Sequence, residues 1–365
     1  MKFFCVLLLA LLANRVEAEV LELAGGSSYC YAAPGARYEW REAGIVPLEG
    51  LFSYYSGAQR PLLPALRVPA RTDSGSVADC LAALPEKLDA LEAELLDTDA
   101  AEDAEGAPIL EAQGFLLQRE TSRELWCLLL GLESDLAPGA YTLRLEGSRG
   151  ERRFLLLAPF EVEERSFGFE ALNLTKQLGG LLTEDLERRR EEAVRLRELL
   201  ISFRPQAVFH EGGFISPLRE SIPTAFYGDR REYRFADGGK SASIHNGIDL
   251  AAPAGTEVLA CGAGRVVLAA ERLVSGRSVV IEHLPGVYSL YFHLQEIRVR
   301  EGEEVGQGRV LGTVGSSGLA TGAHLHWELR VSGAAVNPEF YLDHALIDKS
   351  AISSIMEEIS TRERR

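Results

Sequence analysis

From Phe209 to about Phe340 the chain is cut by glycine-rich turns into short β-branched runs, and almost no helical periodicity interrupts them. Glu257-Val-Leu-Ala260, Arg265-Val-Val-Leu-Ala-Ala270, Ser278-Val-Val-Ile-Glu282, Tyr288-Ser-Leu-Tyr-Phe-His293 and His324-Leu-His-Trp-Glu-Leu-Arg330 all read as strands. A stretch patterned this way can bury apolar side chains only as sheet, so residues 209–342 are expected to form an all-β domain.

On the ends of those strands sit five residues of one chemical kind: His245, Asp249, His293, His324 and His326. Four of the chain's 7 histidines are thus gathered in short glycine-flanked stretches. In His324-Leu325-His326 the i, i+2 spacing on a strand puts both imidazoles on one face and Leu325 on the other. Gly247 and Pro253 argue against a helix through His245-Asn-Gly-Ile-Asp249. A strand-to-loop bend is expected instead, with Gly247 permitting close backbone approach. The zincin helix motif His-Glu-x-x-His is absent. Neutral imidazole and carboxylate are preferred ligands of a catalytic zinc, whose open fourth position activates water. Metal-assisted hydrolysis is the expected chemistry. His210, His283 and His344 lack such partners and are read as surface or satisfied core residues. Glu328 shares the strand face of His324 and His326, as a support for a ligand or as half of a structural salt bridge.

His245-Asn-Gly-Ile-Asp249, Tyr291-Phe-His293-Leu294 and Thr321-Gly-Ala-His324-Leu-His326-Trp-Glu328 together resemble the lysostaphin/LytM-type zinc endopeptidases that cut peptidoglycan. Ala252-Pro-Ala-Gly-Thr-Glu-Val258, the Gly264-Arg-Val266 turn and the glycines at 315 and 318 agree. The resemblance runs from roughly Ile215 to Pro338, about a third of the chain. It implies that His245, Asp249 and His326 bind Zn2+, and that His293 and His324 serve as general base and transition-state stabiliser, in either order. It also implies peptidoglycan peptides as substrate. Members of the family that have lost ligands act as activators of other wall hydrolases, but all five positions are filled here. The alternative is a non-hydrolytic wall- or partner-binding scaffold that regulates other hydrolases.

Upstream, residues 19–165 alternate short apolar runs with glycine and proline. Gly114–Gln118, Trp126–Gly131, Gly139–Glu146 and Arg153–Leu157 read as strands, and Pro138-Gly139 before a Tyr-x-Leu-x-Leu strand suits an immunoglobulin-like β-sandwich. This accessory domain would position the peptidase or bind a protein partner. Leucines between Cys80 and Leu96 predict a short helix leading into an acidic insert near residues 86–106. Residues 166–208 read as a helical connector. Thr183 to Leu200 predicts a helix starting at Thr183, with Leu186, Ala193, Leu196, Leu200 and Phe203 on one stripe. Packing on a neighbouring domain is the expectation, with a coiled-coil dimer as the competing idea. Residues 343–365 are expected to be a tail containing a short helix.

The mature protein is expected outside the cytoplasm. Lys2 precedes an apolar run ending near Ala13, too short to span a bilayer, and Val16-Glu17-Ala18 fits a cleavage site, so residues 1–18 are read as a signal peptide. Cys5 lies upstream of that point, and no later stretch is apolar enough to anchor the mature chain. The remaining Cys30, Cys80, Cys127 and Cys261 show no zinc-ribbon spacing, and Cys261 reads as a small buried residue. A formal net charge of −16 argues against a nucleic-acid partner.

Overall fold

A computed structural model describes residues 152–347 without interruption, together with 89–97, 108–119 and 124–149, and the backbone of several short strands between residues 16 and 84. The expected signal peptide lies almost wholly outside the described residues, as do the tail beyond residue 347 and most of the acidic insert. Among the described residues no helix is long and apolar enough to cross a membrane.

The chain is mainly β. The upstream strands form one hydrogen-bonded sheet of 12, antiparallel apart from one short parallel pair. Leu110–Arg119, Glu124–Gly131, Gly139–Arg149 and Arg152–Glu163 contain the four strands expected here. The helix expected over Cys80–Leu96 does not form: Val77–Leu84 and Ala90–Asp97 are strands. Leu91, Ala93 and Leu95 are buried in alternation, and Ala90–Asp97 is paired on both sides. A period-2 burial pattern backed by two neighbours outweighs leucine spacing that also suits a helix. The strand occupies part of what was expected to be a solvated acidic insert.

The connector is more than a helix. Phe169–Asn173 is a strand that pairs in parallel with Arg230–Arg234, which pairs in turn with Lys240–Ile244. Two helices follow, Lys176–Thr183 and Leu186–Leu200. Thr183 ends the first of them, and the second begins after Asp185, whose φ of +45° breaks the run. The apolar docking is at the C-terminal end of the second helix: Leu196, Leu199 and Leu200 pack on Leu268, Val280, Tyr288, Leu290 and Phe292. Leu186 and Ala193, expected on the apolar stripe, are exposed. The helix therefore covers a face of the chain's own sheet. Beyond it Arg204 donates to the fully buried Glu282 at 3.1 Å, and Tyr288 donates to the Ser202 carbonyl at 2.8 Å.

The C-terminal domain is a 10-stranded antiparallel sheet. Its central order is Ile222–Ala225, Ile248–Ala251, His324–Val331, Val287–Ile297, Gly276–Leu284 and Gly264–Arg272. Leu325, Trp327, Leu329 and Val331 point into the core beside Ile248 and Leu250. The intervening His324, His326, Glu328 and Arg330 therefore line the opposite face. The same core takes in Phe115, Leu125, Cys127 and Leu129 from the upstream strands. At this seam Ser332 donates to the Leu129 carbonyl at 2.8 Å. A Cβ on Gly131 would lie 2.4 Å from the Val331 carbonyl, so only glycine permits the approach.

Candidate metal centre

Register brings the site together. Asp249 stands opposite His326 across one strand pair, and Phe292 stands opposite His326 across the next. Opposed residues project to the same face, so Asp249, His326 and Phe292 meet there. Phe292 stacks on His326 with ring centroids 5.5 Å apart and planes 6° from parallel. His245 arrives from the bend before Ile248–Ala251. A Cβ on Gly247 would lie 2.3 Å from the Trp327 carbonyl, which is the close approach expected of that glycine.

Val287–Ile297 pairs with His324–Val331 as far as Phe292, and with Val310–Val314 from Leu294 onward. His293 falls at this change of partner with φ of +61°. A left-handed residue at an irregularity turns its side chain out of the regular alternation. Its ring lies 4.8 Å from that of His324 and 6.1 Å from that of His326, centroid to centroid. All five residues singled out in the sequence thus converge on one place. His210, His283 and His344 do not join them. His210 stacks on Phe214, His344 stacks on Phe340, and buried His283 has Ala263 O and Ser289 Oγ at 2.7 Å from its two ring nitrogens.

Three donor atoms form the centre. His245 Nε2 is 3.0 Å from Asp249 Oδ1 and 2.9 Å from His326 Nδ1, which is 2.7 Å from Asp249 Oδ1. Each of these side chains is oriented from behind. His245 Nδ1 is 2.8 Å from the Phe226 carbonyl and donates to it, which leaves Nε2 as a lone pair. His326 Nε2 lies 2.9 Å from Glu328 Oε1, leaving Nδ1 to face the centre. Arg231 Nη2 donates to Asp249 Oδ2 at 2.6 Å, so Oδ1 is the oxygen turned inward. Glu328 also accepts from Arg330 at 2.7 Å, so it both holds the His326 ring and forms half of an ion pair.

Two imidazole lone pairs and a carboxylate oxygen this close repel unless a cation sits among them. A proton shared among them can serve as that charge: burial opposes charge on Asp249, yet hydrogen bonds from His245 and His326 hold its carboxyl far below the usual range. Burial likewise opposes charge on His326, but Asp249 and Glu328 outweigh it and push the imidazole up to about 9. Burial pushes His245 down, against the pull of Asp249. The arrangement favours one positive charge at the meeting point, and the mixed N,O donor set fits a divalent metal.

The remaining two histidines each spend one ring nitrogen on a backbone carbonyl. His293 Nδ1 is 2.7 Å from the Ser317 carbonyl, and His324 Nδ1 is 2.9 Å from the Gly322 carbonyl. Donation from each Nδ1–H leaves Nε2 as the proton-accepting atom. Burial, and then the neighbouring His324 and His326, push His293 down to about 3. His324 Nε2 lies 3.7 Å from Asp249 Oδ1. Sequence reasoning missed Arg231, Phe226 O and Ser317 O. Two of these act through backbone carbonyls, which carry no residue signature.

An antiparallel β domain with a His-Asp-His cluster and two further histidines beside it is the arrangement that the sequence resemblance implied. Residues 243–338 match Peptidase family M23, and the chain carries an M23 domain in its C-terminal part. Over 95 residues it is 45% identical to the DD-carboxypeptidase/endopeptidase Mpg of Neisseria meningitidis, covering 26% of this chain and 22% of that protein. Over 98 residues it is 42% identical to the peptidoglycan DD-endopeptidase ShyA of Vibrio cholerae, covering 27% and 23%. It is also 38% identical over 105 residues to the murein hydrolase activator NlpD of Escherichia coli, covering 28% and 27%. The matched stretch thus spans about a quarter of these relatives' length. A crystal structure of a putative M23 peptidase from Pseudomonas aeruginosa shares the fold more widely, with a TM-score of 0.50 at 24% identity, over 74% of this chain and 94% of that one.

Proposed function

We propose that the chain is a secreted, zinc-dependent endopeptidase that hydrolyses peptide cross-links or stem peptides of bacterial peptidoglycan. The observation that carries this reading is the convergence of His245 Nε2, Asp249 Oδ1 and His326 Nδ1, with two proton-accepting histidines alongside. Those three atoms would hold the zinc. Bound there, zinc would polarise the scissile carbonyl and lower the pKa of a water molecule. His293 and His324 each present Nε2 to the site, so one can accept a proton while the other, protonated, donates a hydrogen bond to the developing oxyanion. Mpg and ShyA, named as endopeptidases, support the substrate class. The Met1–Ala18 segment supports export to the periplasm or cell envelope. We read the upstream strands as an immunoglobulin-like accessory domain that positions the peptidase or takes a protein partner.

Similarity to NlpD favours a second reading, a scaffold that activates other wall hydrolases without cutting. The five filled positions weigh against it. Zinc-loaded full-length protein incubated with muropeptides, with products followed by mass spectrometry, separates the two. Cleavage by wild type and none by His326→Ala is expected. No cleavage by wild type, with function surviving in His324→Ala, would establish the scaffold.

A further inference from the structure

The stretch matching the family begins at residue 243, yet two of the three metal-site side chains are held by residues that precede it. Asp249 divides its oxygens, Oδ1 toward the two imidazoles and Oδ2 toward Arg231. Arg231 is itself shared: its Nη2 donates to Asp249 at 2.6 Å and its Nε donates to Glu170 Oε2 at 3.0 Å. Glu170 and Arg231 are register partners in the parallel pair between Phe169–Asn173 and Arg230–Arg234. Arg231 has a side chain only 12% exposed, so its charge requires anionic partners close by.

A parallel line of contacts reaches His245. Its N–H donates to the Asp229 carbonyl at 2.9 Å, its carbonyl accepts from Gly228 at 2.7 Å, and its ring is tied to the Phe226 carbonyl. That turn is fastened to the linker. Asp229 Oδ1 accepts from Gly168 N at 3.0 Å while Oδ2 accepts from Phe226 N at 3.0 Å. Arg230 N donates to the Gly168 carbonyl at 2.8 Å. A Cβ on Gly168 would lie 2.5 Å from Asp229 Oδ1 and would push that carboxylate aside.

We propose that the linker strand Phe169–Asn173 is a working part of the metal centre, and that Glu170 is a positioning residue which sets metal affinity through Arg231. The inference rests on the zinc reading of the site. A guanidinium fork binds a carboxylate with two parallel N–H donors when nothing else competes for it. Glu170 holds one edge of the Arg231 fork, so Arg231 engages only Oδ2 and leaves Oδ1 to the metal. Without Glu170 the fork closes on both oxygens of Asp249 and competes with the cation. Without Arg231, Oδ1 loses the contact that turns it inward. Both changes weaken binding, and they act along one line.

The test titrates zinc into metal-free full-length protein against a chromophoric chelator. Cobalt(II) spectra report coordination, and melting of the metal-free forms reports folding. Glu170→Ala and Arg231→Met should each weaken zinc binding about 10- to 100-fold, the usual effect of losing a group that orients a ligand. Glu170→Gln, which keeps the shape and loses the charge, should fall between wild type and Glu170→Ala. Glu170→Ala added to Arg231→Met should cost nothing further, because the first acts only through the second. The cobalt(II) band should shift in both single variants. Zinc binding by Glu170→Ala equal to wild type, or a double variant weaker than both singles, would overturn the proposal. Wild-type protein that binds no stoichiometric zinc would instead overturn the zinc reading on which it rests.

Discussion

His293 donates from Nδ1 to the carbonyl oxygen of Ser317 across 2.7 Å, from a backbone held at φ of +61°. The contact fixes the tautomer and the direction of the ring together. His293 is thereby separated from His245, Asp249 and His326, whose inward atoms meet one another, and grouped with His324, whose Nδ1 is likewise spent on a backbone carbonyl.

That division predicts two classes of variant. His293→Ala and His324→Ala should keep stoichiometric zinc and lose turnover by about 100- to 10,000-fold, the range for removing a proton-transfer group. His326→Ala should lose both zinc and turnover. Metal content by atomic absorption, measured beside muropeptide cleavage, distinguishes them. Loss of zinc in His324→Ala would place that residue among the ligands.

Gly247→Ala should destabilise the domain and loosen the metal together. The new Cβ would sit 2.3 Å from Trp327 O and 2.8 Å from Glu328 Cγ, in the pair that sets Asp249 opposite His326. Overpacking of this kind costs about 1–3 kcal/mol or more. Thermal melting and zinc titration should fall in parallel. An unchanged melting point with weaker zinc would mean that the strand pair absorbs the methyl and only the ligands shift.

Leu129→Ala should lower the melting of the whole described structure, although Leu129 lies far upstream of the site in sequence. Leu129 is 2% exposed and belongs to the core that holds Trp327 and Val331. Truncating such a residue costs about 2–5 kcal/mol. Calorimetry should show one endotherm moved downward. Two endotherms, with only the upstream one displaced, would show that the halves unfold separately.

Acid should weaken the fold through His283, away from the metal. Burial pushes this imidazole from 6.5 down to about 3, only partly offset by its hydrogen bond to Ala263 O. Between those values the unfolded chain takes up a proton that the folded chain refuses. The contribution is therefore complete above about pH 6.5 and declines toward pH 3, at about 1.4 kcal/mol per pH unit. Urea unfolding at pH 7.5 and 5 should show a shallower pH dependence for His283→Gln than for wild type. Equal slopes would assign the acid sensitivity to other groups.

The sheet domain was legible because its signals are local. Alternation of His324, His326 and Glu328 with Leu325, Trp327 and Leu329 follows from period 2 alone, and Gly247 announced its own close contact. Asp249 and His326 could be grouped by residue type, though their opposition needed the register. Arg231 and Glu170 were not legible. Both are ordinary charged residues, and they meet only because segments some 60 positions apart pair in parallel, which no local pattern encodes. The helix expected over Cys80–Leu96 failed for a related reason. Its leucines satisfy two periods, and the choice was made by neighbouring strands. Leu186 and Ala193 sit on a stripe whose far end packs on the sheet while they stay exposed.

The strand Phe169–Asn173 also bears on how this chain can be divided. A fragment cut at residue 243, where the family match begins, would keep every ligand but leave Arg230–Arg234 and Phe169–Asn173 behind. Only the last two residues of Lys240–Ile244 would remain, without the strand they pair with, and Asp249 would be severed from its guanidinium. The smallest portable unit, for grafting the peptidase onto another carrier or exchanging it between relatives, begins at the linker strand.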